Sequence, residues 1–112
     1  MRRAVLVALV LAVALAAPAS AGKGKTVRIF DNYYVKDELK VAKGTTITWR
    51  WPDEAGDVHD VKLKKGPKGV KKFHSEPASA GYSFKRKLKK PGRYRIVCTL
   101  HEEMKMTITV RR

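Results

Sequence analysis

Three soft or borderline metal donors lie close together near the C-terminus of this 112-residue chain, in the run Cys98-Thr-Leu-His101-Glu-Glu-Met104. The spacing is Cys, two residues, His, two residues, Met. Upstream of it, Tyr94, Ile96 and Cys98 alternate with Arg93 and Arg95. That period of two predicts a strand with Cys98 on its inward face. Met106, Ile108 and Val110 alternate in the same way, so a second strand is expected just after Met104. A tight loop between two such strands can turn all three donors toward one point. A fourth candidate, His59, shares an inward face with Val61 and Leu63 in the run VHDVKLK.

The donor types select the metal. Thiolate and thioether are soft, and imidazole is borderline. Two His and one Cys in a plane, with a weak axial Met, suit copper in both its oxidation states. Little rearrangement is then needed between those states, so single-electron transfer is fast. Zinc could use the same ligands but gains little from Met. The chain has a single Cys, which excludes an internal disulfide and any zinc site built on two or more thiolates. A free thiol would be an oxidation hazard in an exported protein, whereas a metal-bound thiolate is occupied. Each donor alone has an ordinary explanation: Cys98 as an inert buried thiol, His59 as a strand histidine. The joint pattern points to one copper ion per chain.

The elements that must position these donors read as strands behind an address segment. Arg2 and Arg3 precede the apolar run Ala4 to Ala17, and Ala19 and Ala21 follow in small-x-small spacing. Basic, then apolar, then small is the pattern of a secretory signal peptide, and the run is short for a bilayer span. The expected organisation is a signal peptide over residues 1–21 and one domain over residues 22–112, with no transmembrane segment in the mature chain. Small export domains usually add a staple to a modest core. With disulfides excluded, a metal takes that place.

Within the domain, Thr26 to Phe30 is β-rich, and a Lys43-Gly44 turn leads to alternating Ile47, Trp49 and Trp51. Both Trp are expected in the core. Tyr82, Phe84 and Leu88 define another inward face, interrupted by Arg86, and Pro91-Gly92 marks a turn. Residues 64–80, rich in Gly, Pro and Lys, read as loop, with at most a short strand near Val70 to Phe73. No sustained helical period and no internal repeat occurs. Short strands separated by turn residues predict an all-β antiparallel sandwich or barrel.

Several of these runs together resemble the cupredoxins, the small type 1 (blue) copper proteins, and most of all their amicyanin and plastocyanin-like members. They are Gly44-Thr-Thr-Ile-Thr-Trp49, His59-Asp-Val61, Phe73 with Ser75, Gly81-Tyr-Ser-Phe84, Pro91-Gly-Arg-Tyr94 and the Cys98 to Met104 loop. The two-residue gap between His101 and Met104 is similar to that of amicyanin. The resemblance implies a Greek-key β-sandwich with His59, Cys98, His101 and Met104 as ligands. Two positions depart from the family pattern. Asp60 stands where members usually carry Asn; its carboxylate can accept hydrogen bonds from backbone N–H or from Thr99, and its charge should favour copper(II). Glu102 and Glu103 replace the Pro or small residues often found beside the surface-reaching histidine.

The surface is strongly basic, with 25 Lys+Arg against 10 Asp+Glu and a formal charge of +15. Lys62, Lys64, Lys65, Lys68, Lys71 and Lys72 form one run, and residues 85–90 another. Such a surface would steer the protein toward a redox partner with an acidic docking face. No nucleic acid is expected as a partner, given export and the absence of a known nucleic-acid motif. The leading expectation is a monomeric exported electron carrier of the periplasm or extracytoplasmic envelope, or secreted, and not an enzyme. Copper delivery without electron transfer, or a cationic polyanion-binding module on the same fold, are the alternatives. His74 falls outside the ligand pattern and is expected on the surface, and Met106 in the core.

Overall fold

A computed structural model describes residues 23–112; the signal peptide expected over residues 1–21 lies outside the described residues. Eight strands account for the regular structure: β1 (Gly24–Phe30), β2 (Tyr33–Tyr34), β3 (Glu38–Ala42), β4 (Thr45–Arg50), β5 (Lys62–Lys65), β6 (Ser83–Leu88), β7 (Gly92–Val97) and β8 (Lys105–Arg111). They form two four-stranded sheets, ordered β2-β1-β4-β6 and β3-β8-β7-β5. The described residues contain no helix, and none that could cross a membrane.

Alternation builds the sandwich. In β4, every second side chain (Thr45, Ile47, Trp49) is buried, and β8 buries Met106, Ile108 and Val110 in the same rhythm. The two inner faces meet in one core, in which Ile29, Ile47, Trp49, Trp51, Val61, Ile96 and Ile108 are fully covered. Each such side chain contributes about 1.5–3 kcal/mol through removal from water. Both Trp and Met106 are therefore core residues, as expected. The Lys43-Gly44 turn between β3 and β4 needs Gly44 at φ 88°, a left-handed conformation that costs glycine little. Trp49 Nε1 is buried without a hydrogen-bond partner; such an orphan costs about 1–3 kcal/mol, which the aromatic packing of Trp49 with Phe73 and Phe84 must offset.

The structure departs from the alternation pattern in four places. Neither sheet is wholly antiparallel, because β1–β4 and β3–β8 run parallel. No strand forms over Val70 to Phe73. Instead Gly69 takes φ 86° and the chain lies beside β5 through an isolated bridge between Lys62 and His74. The short hairpin strand β2 carried no alternation from which to read it. Asp60, expected on the outer face, is 3% exposed, because β5 starts only at Lys62 and the preceding residues do not follow its pleat. Arg86 is explained by position: β6 is a sheet edge, and the Arg86 guanidinium lies 4.2 Å from the Phe84 ring centre.

Candidate metal centre

The site forms at one end of the sandwich, where the chain leaves β7 and enters β8. Cys98 follows β7, and the loop closes on itself through Cys98 N–H to Met104 O (2.9 Å) and Met104 N–H to His101 O (3.0 Å). His59 arrives from the other direction, on a segment tied down at several points. Its amide donates to Ala78 O at 2.9 Å and its carbonyl accepts from Ala78 N–H at 3.0 Å. Trp51 Nε1 also donates to Ala78 O, at 2.8 Å. Tyr34 Oη donates to Asp60 O (2.8 Å), and Val61 N–H to Ser75 Oγ (2.9 Å). Both ligand segments are thus fixed by backbone contacts before any ion is considered.

His59, Cys98 and His101 present donor atoms that all lie within 4.8 Å of one another. His59 Nδ1 is 3.2 Å from His101 Nδ1, and Cys98 Sγ is 3.6 Å from His101 Nδ1. Nitrogen and sulfur donors bonded to one small ion at about 2.0–2.3 Å, near tetrahedral angles, would be about 3.3–3.6 Å apart. The spacing fits. The tautomer fits too. His59 Nε2 donates to Asp31 Oδ1 at 3.0 Å, which leaves Nδ1 with its lone pair facing His101. That lone pair is free to bind an ion seated between the two rings. Of the four sequence-predicted residues, the structure therefore brings three donor atoms together. Met104 is buried at 1% exposure, with its backbone bonded to Cys98 and His101.

Asp60 links the two ligand segments. Its Oδ1 accepts from Thr99 N–H at 2.7 Å, and its Oδ2 accepts from the Thr99 hydroxyl and from His74 Nε2, the latter at 2.8 Å. Burial pushes this carboxyl up, but the hydrogen bonds from His74 and Thr99 outweigh it and hold Asp60 below its ordinary value. The acid thus stays ionised one residue from His59 and beside Cys98. His74 is on the surface, as expected, with its side chain half exposed, but its Nε2 also bonds Asp60.

Two acids escaped the sequence reading. Asp31 bonds His59 and also accepts from Asp57 N–H at 3.0 Å; these bonds, His59 foremost, hold its carboxyl below the usual range. Asp57 Oδ2 lies 4.0 Å from His101 Nε2. A signal was available. Residues 29–35, 51–61 and 98–104 contain no Lys or Arg in a chain of charge +15, yet hold seven of its ten acids.

A family model described as copper binding proteins, plastocyanin/azurin family, matches residues 25–111. The chain belongs to this copper-binding family. It is similar to solved amicyanin variants: a Pro-to-Gly variant in its reduced Cu(I) form (26% identity, 81% of this chain and 85% of that chain, TM-score 0.68) and a Met-to-Gln variant with Cu(I) (25%, 83% and 87%, TM-score 0.69). It is also similar to a copper-containing nitrite reductase from Thermus scotoductus SA-01, at 25% identity and TM-score 0.71, over 89% of this chain but 25% of that one. No curated protein matches the sequence. This cupredoxin accordingly binds one copper ion, and the His59, Cys98, His101 cluster is where its donors converge.

Proposed function

We propose that this cupredoxin is an exported electron carrier whose copper would be held by His59, Cys98 and His101, with Met104 as a fourth, weaker ligand. Bound copper supplies a one-electron couple between Cu(II) and Cu(I). The chain's residues do the rest. Cys98 and His59 are both buried, which keeps water away from the sulfur and one imidazole. His101 is different: its side chain is 26% exposed. That difference in burial is the observation that carries the reading, since one imidazole edge at the surface gives an electron a short way in and out. Asp31 orients the His59 ring, and Asp60 fastens the Cys98 segment to the His59 segment through Thr99. The role proposed for it is carrier rather than enzyme.

The signal over residues 1–21 is proposed to be removed after Ala21, leaving the carrier in the periplasm or extracytoplasmic envelope, or secreted, as a monomer that meets acidic partners. The test is addition of copper(II) to the mature protein. Strong visible thiolate-to-copper absorption is expected, lost in Cys98→Ser, together with rapid electron self-exchange. A colourless adduct overturns the blue-copper assignment. Colour with slow self-exchange and ready loss of copper to a chelator would instead favour copper delivery.

A further inference from the structure

Away from the metal end, a cleft of about 590 Å³ opens between the segment after Gly69 and the end of β6. Its lining includes Lys71, Lys72, Arg86, Lys87, Lys89 and Lys90, and no acid. None of these six cations forms an ion pair among the described residues; their hydrogen bonds are to backbone carbonyls, such as Lys72 Nζ to Lys64 O and Arg86 to Lys85 O, and Arg86 also lies over the Phe73 and Phe84 rings. Six like charges around one depression repel one another and leave a field that only an anion can relieve. The floor differs from the rim. Val70 and Phe73 are partly covered and pack on the hydrophobic core, with Leu88 and Tyr94 behind them.

We infer that this cleft is a docking groove for an acidic polypeptide segment that carries apolar side chains between its carboxylates. Charge complementarity sets the sign of the occupant, and shape and floor narrow its class. The cations come from two separate stretches of chain, residues 71–72 and 86–90, so they are spread along the depression as a chain-like anion would need. A polysaccharide or a phosphate polymer would satisfy the rim but has nothing to bury against Val70 and Phe73. A bilayer surface would be met by protruding apolar groups, not by a hollow with a recessed floor. An acidic peptide meets both requirements: carboxylates for the rim, an aliphatic or aromatic side chain for the floor. No proposed copper ligand lines the cleft; His74, which does, touches the metal end through its bond to Asp60.

The test uses the copper-loaded mature protein and short synthetic peptides, with binding measured by calorimetry. A peptide alternating Glu with Phe should bind, and its affinity should fall at least about tenfold between low and moderate salt. Lys71→Glu with Lys89→Glu should weaken it by a further factor of about ten or more, and Lys71→Gln with Lys89→Gln by less. Val70→Ser should weaken the Glu-Phe peptide but leave plain oligoglutamate unaffected. Reversal of the distant pair Lys25→Glu with Lys40→Glu should change binding only slightly. The visible copper band, unaltered in each variant, shows that the fold is kept. The inference is overturned if the distant pair matters as much as the cleft pair, since bulk charge would then explain the binding. It is equally overturned if a heparin fragment or phosphatidylglycerol vesicles bind as tightly as the Glu-Phe peptide.

Discussion

The metal end and the lysine cleft are opposite kinds of surface on one small sandwich. At the metal end the loops carry seven acids and no Lys or Arg, and Asp31, Asp60 and Thr99 are each hydrogen-bonded around the donors. In the cleft six cations stand without a single acid, held by little besides the course of the backbone. The first surface is specified atom by atom through short hydrogen bonds; the second is specified only by the sum of its charges. One end should therefore be sensitive to single-atom changes, and the other tolerant of them. Five exposed large apolar residues among those described sharpen the contrast: Phe30, Tyr33, Val35, Val58 and Leu100 all lie within the metal-end segments 29–35, 51–61 and 98–104. Val58 adjoins His59 and Leu100 adjoins His101 in sequence, so the exposed imidazole edge has apolar neighbours along the chain as well as the carboxylate of Asp57 4.0 Å away.

The largest expected effect is at Cys98. Cys98→Ser should abolish the visible band and lower copper affinity by more than about a hundredfold, the upper end of what even an outer partner of a ligand can cost. Anion binding in the cleft should not change. Loss of peptide binding in that variant would show that the two regions are coupled. Next comes removal of copper from the native chain. A ligand that binds only the folded state stabilises it by about 4 kcal/mol at a thousandfold excess over its dissociation constant. The copper-free protein should therefore unfold at a markedly lower temperature in a calorimetric scan. An unchanged midpoint would mean that the preformed backbone contacts, not the ion, hold the end together.

A subtler break tests the charge of Asp60. Asp60→Asn keeps an acceptor for Thr99 N–H but removes the buried negative charge and its pairing with His74. The reduction potential should rise by tens of millivolts, each ~59 mV being a tenfold change in relative preference for the two copper states. His74→Asn should move it the other way, downward, because Asp60 then loses a hydrogen bond that draws its negative charge away from the metal. A voltammetric titration of both variants decides the sign, and equal potentials in all three proteins would show that Asp60 acts only as a tie.

Much of this was legible in the sequence because it depends on neighbours. Period two placed Cys98, Ile96 and Tyr94 inward, and the Cys-x2-His-x2-Met spacing marked the loop, since β7 and β8 fix its two ends. His59 was legible by alternation with Val61, even though its own backbone is only an isolated bridge. What was hidden depends on distance along the chain. Asp31 reaches His59 across 28 residues, and His74 reaches Asp60 across 14, through loops with no periodicity. Strand β2 was invisible for the same reason: two tyrosines pair with β1 because the turn at Asn32 (φ 72°) allows it, not because they alternate. Burial of Asp60 likewise follows from its partners rather than from its place in the pattern.

The smallest effect expected is at Gly56, and it probes how tightly the acidic shell is built. A Cβ on Gly56 would lie 2.7 Å from Asp31 Oδ1, the same oxygen that accepts from His59 Nε2 and from Asp57 N–H. Asp31 is exposed and can swing away, so Gly56→Ala should cost only about 0.5–1.5 kcal/mol, the worth of an ordinary hydrogen bond. The displaced carboxylate would no longer fix the His59 ring, so the visible band should shift or broaden while copper is still bound. A matching Gly→Ala change at the cleft, Gly69→Ala, would meet the end of Lys90, a flexible side chain, at 2.5 Å in a backbone with φ 86°. It should lower stability through backbone strain and leave the copper band untouched. If instead both substitutions left the spectrum alone, the Asp31 bond would be an ornament of the surface, and His59 would owe its orientation to the Ala78 bridge by itself.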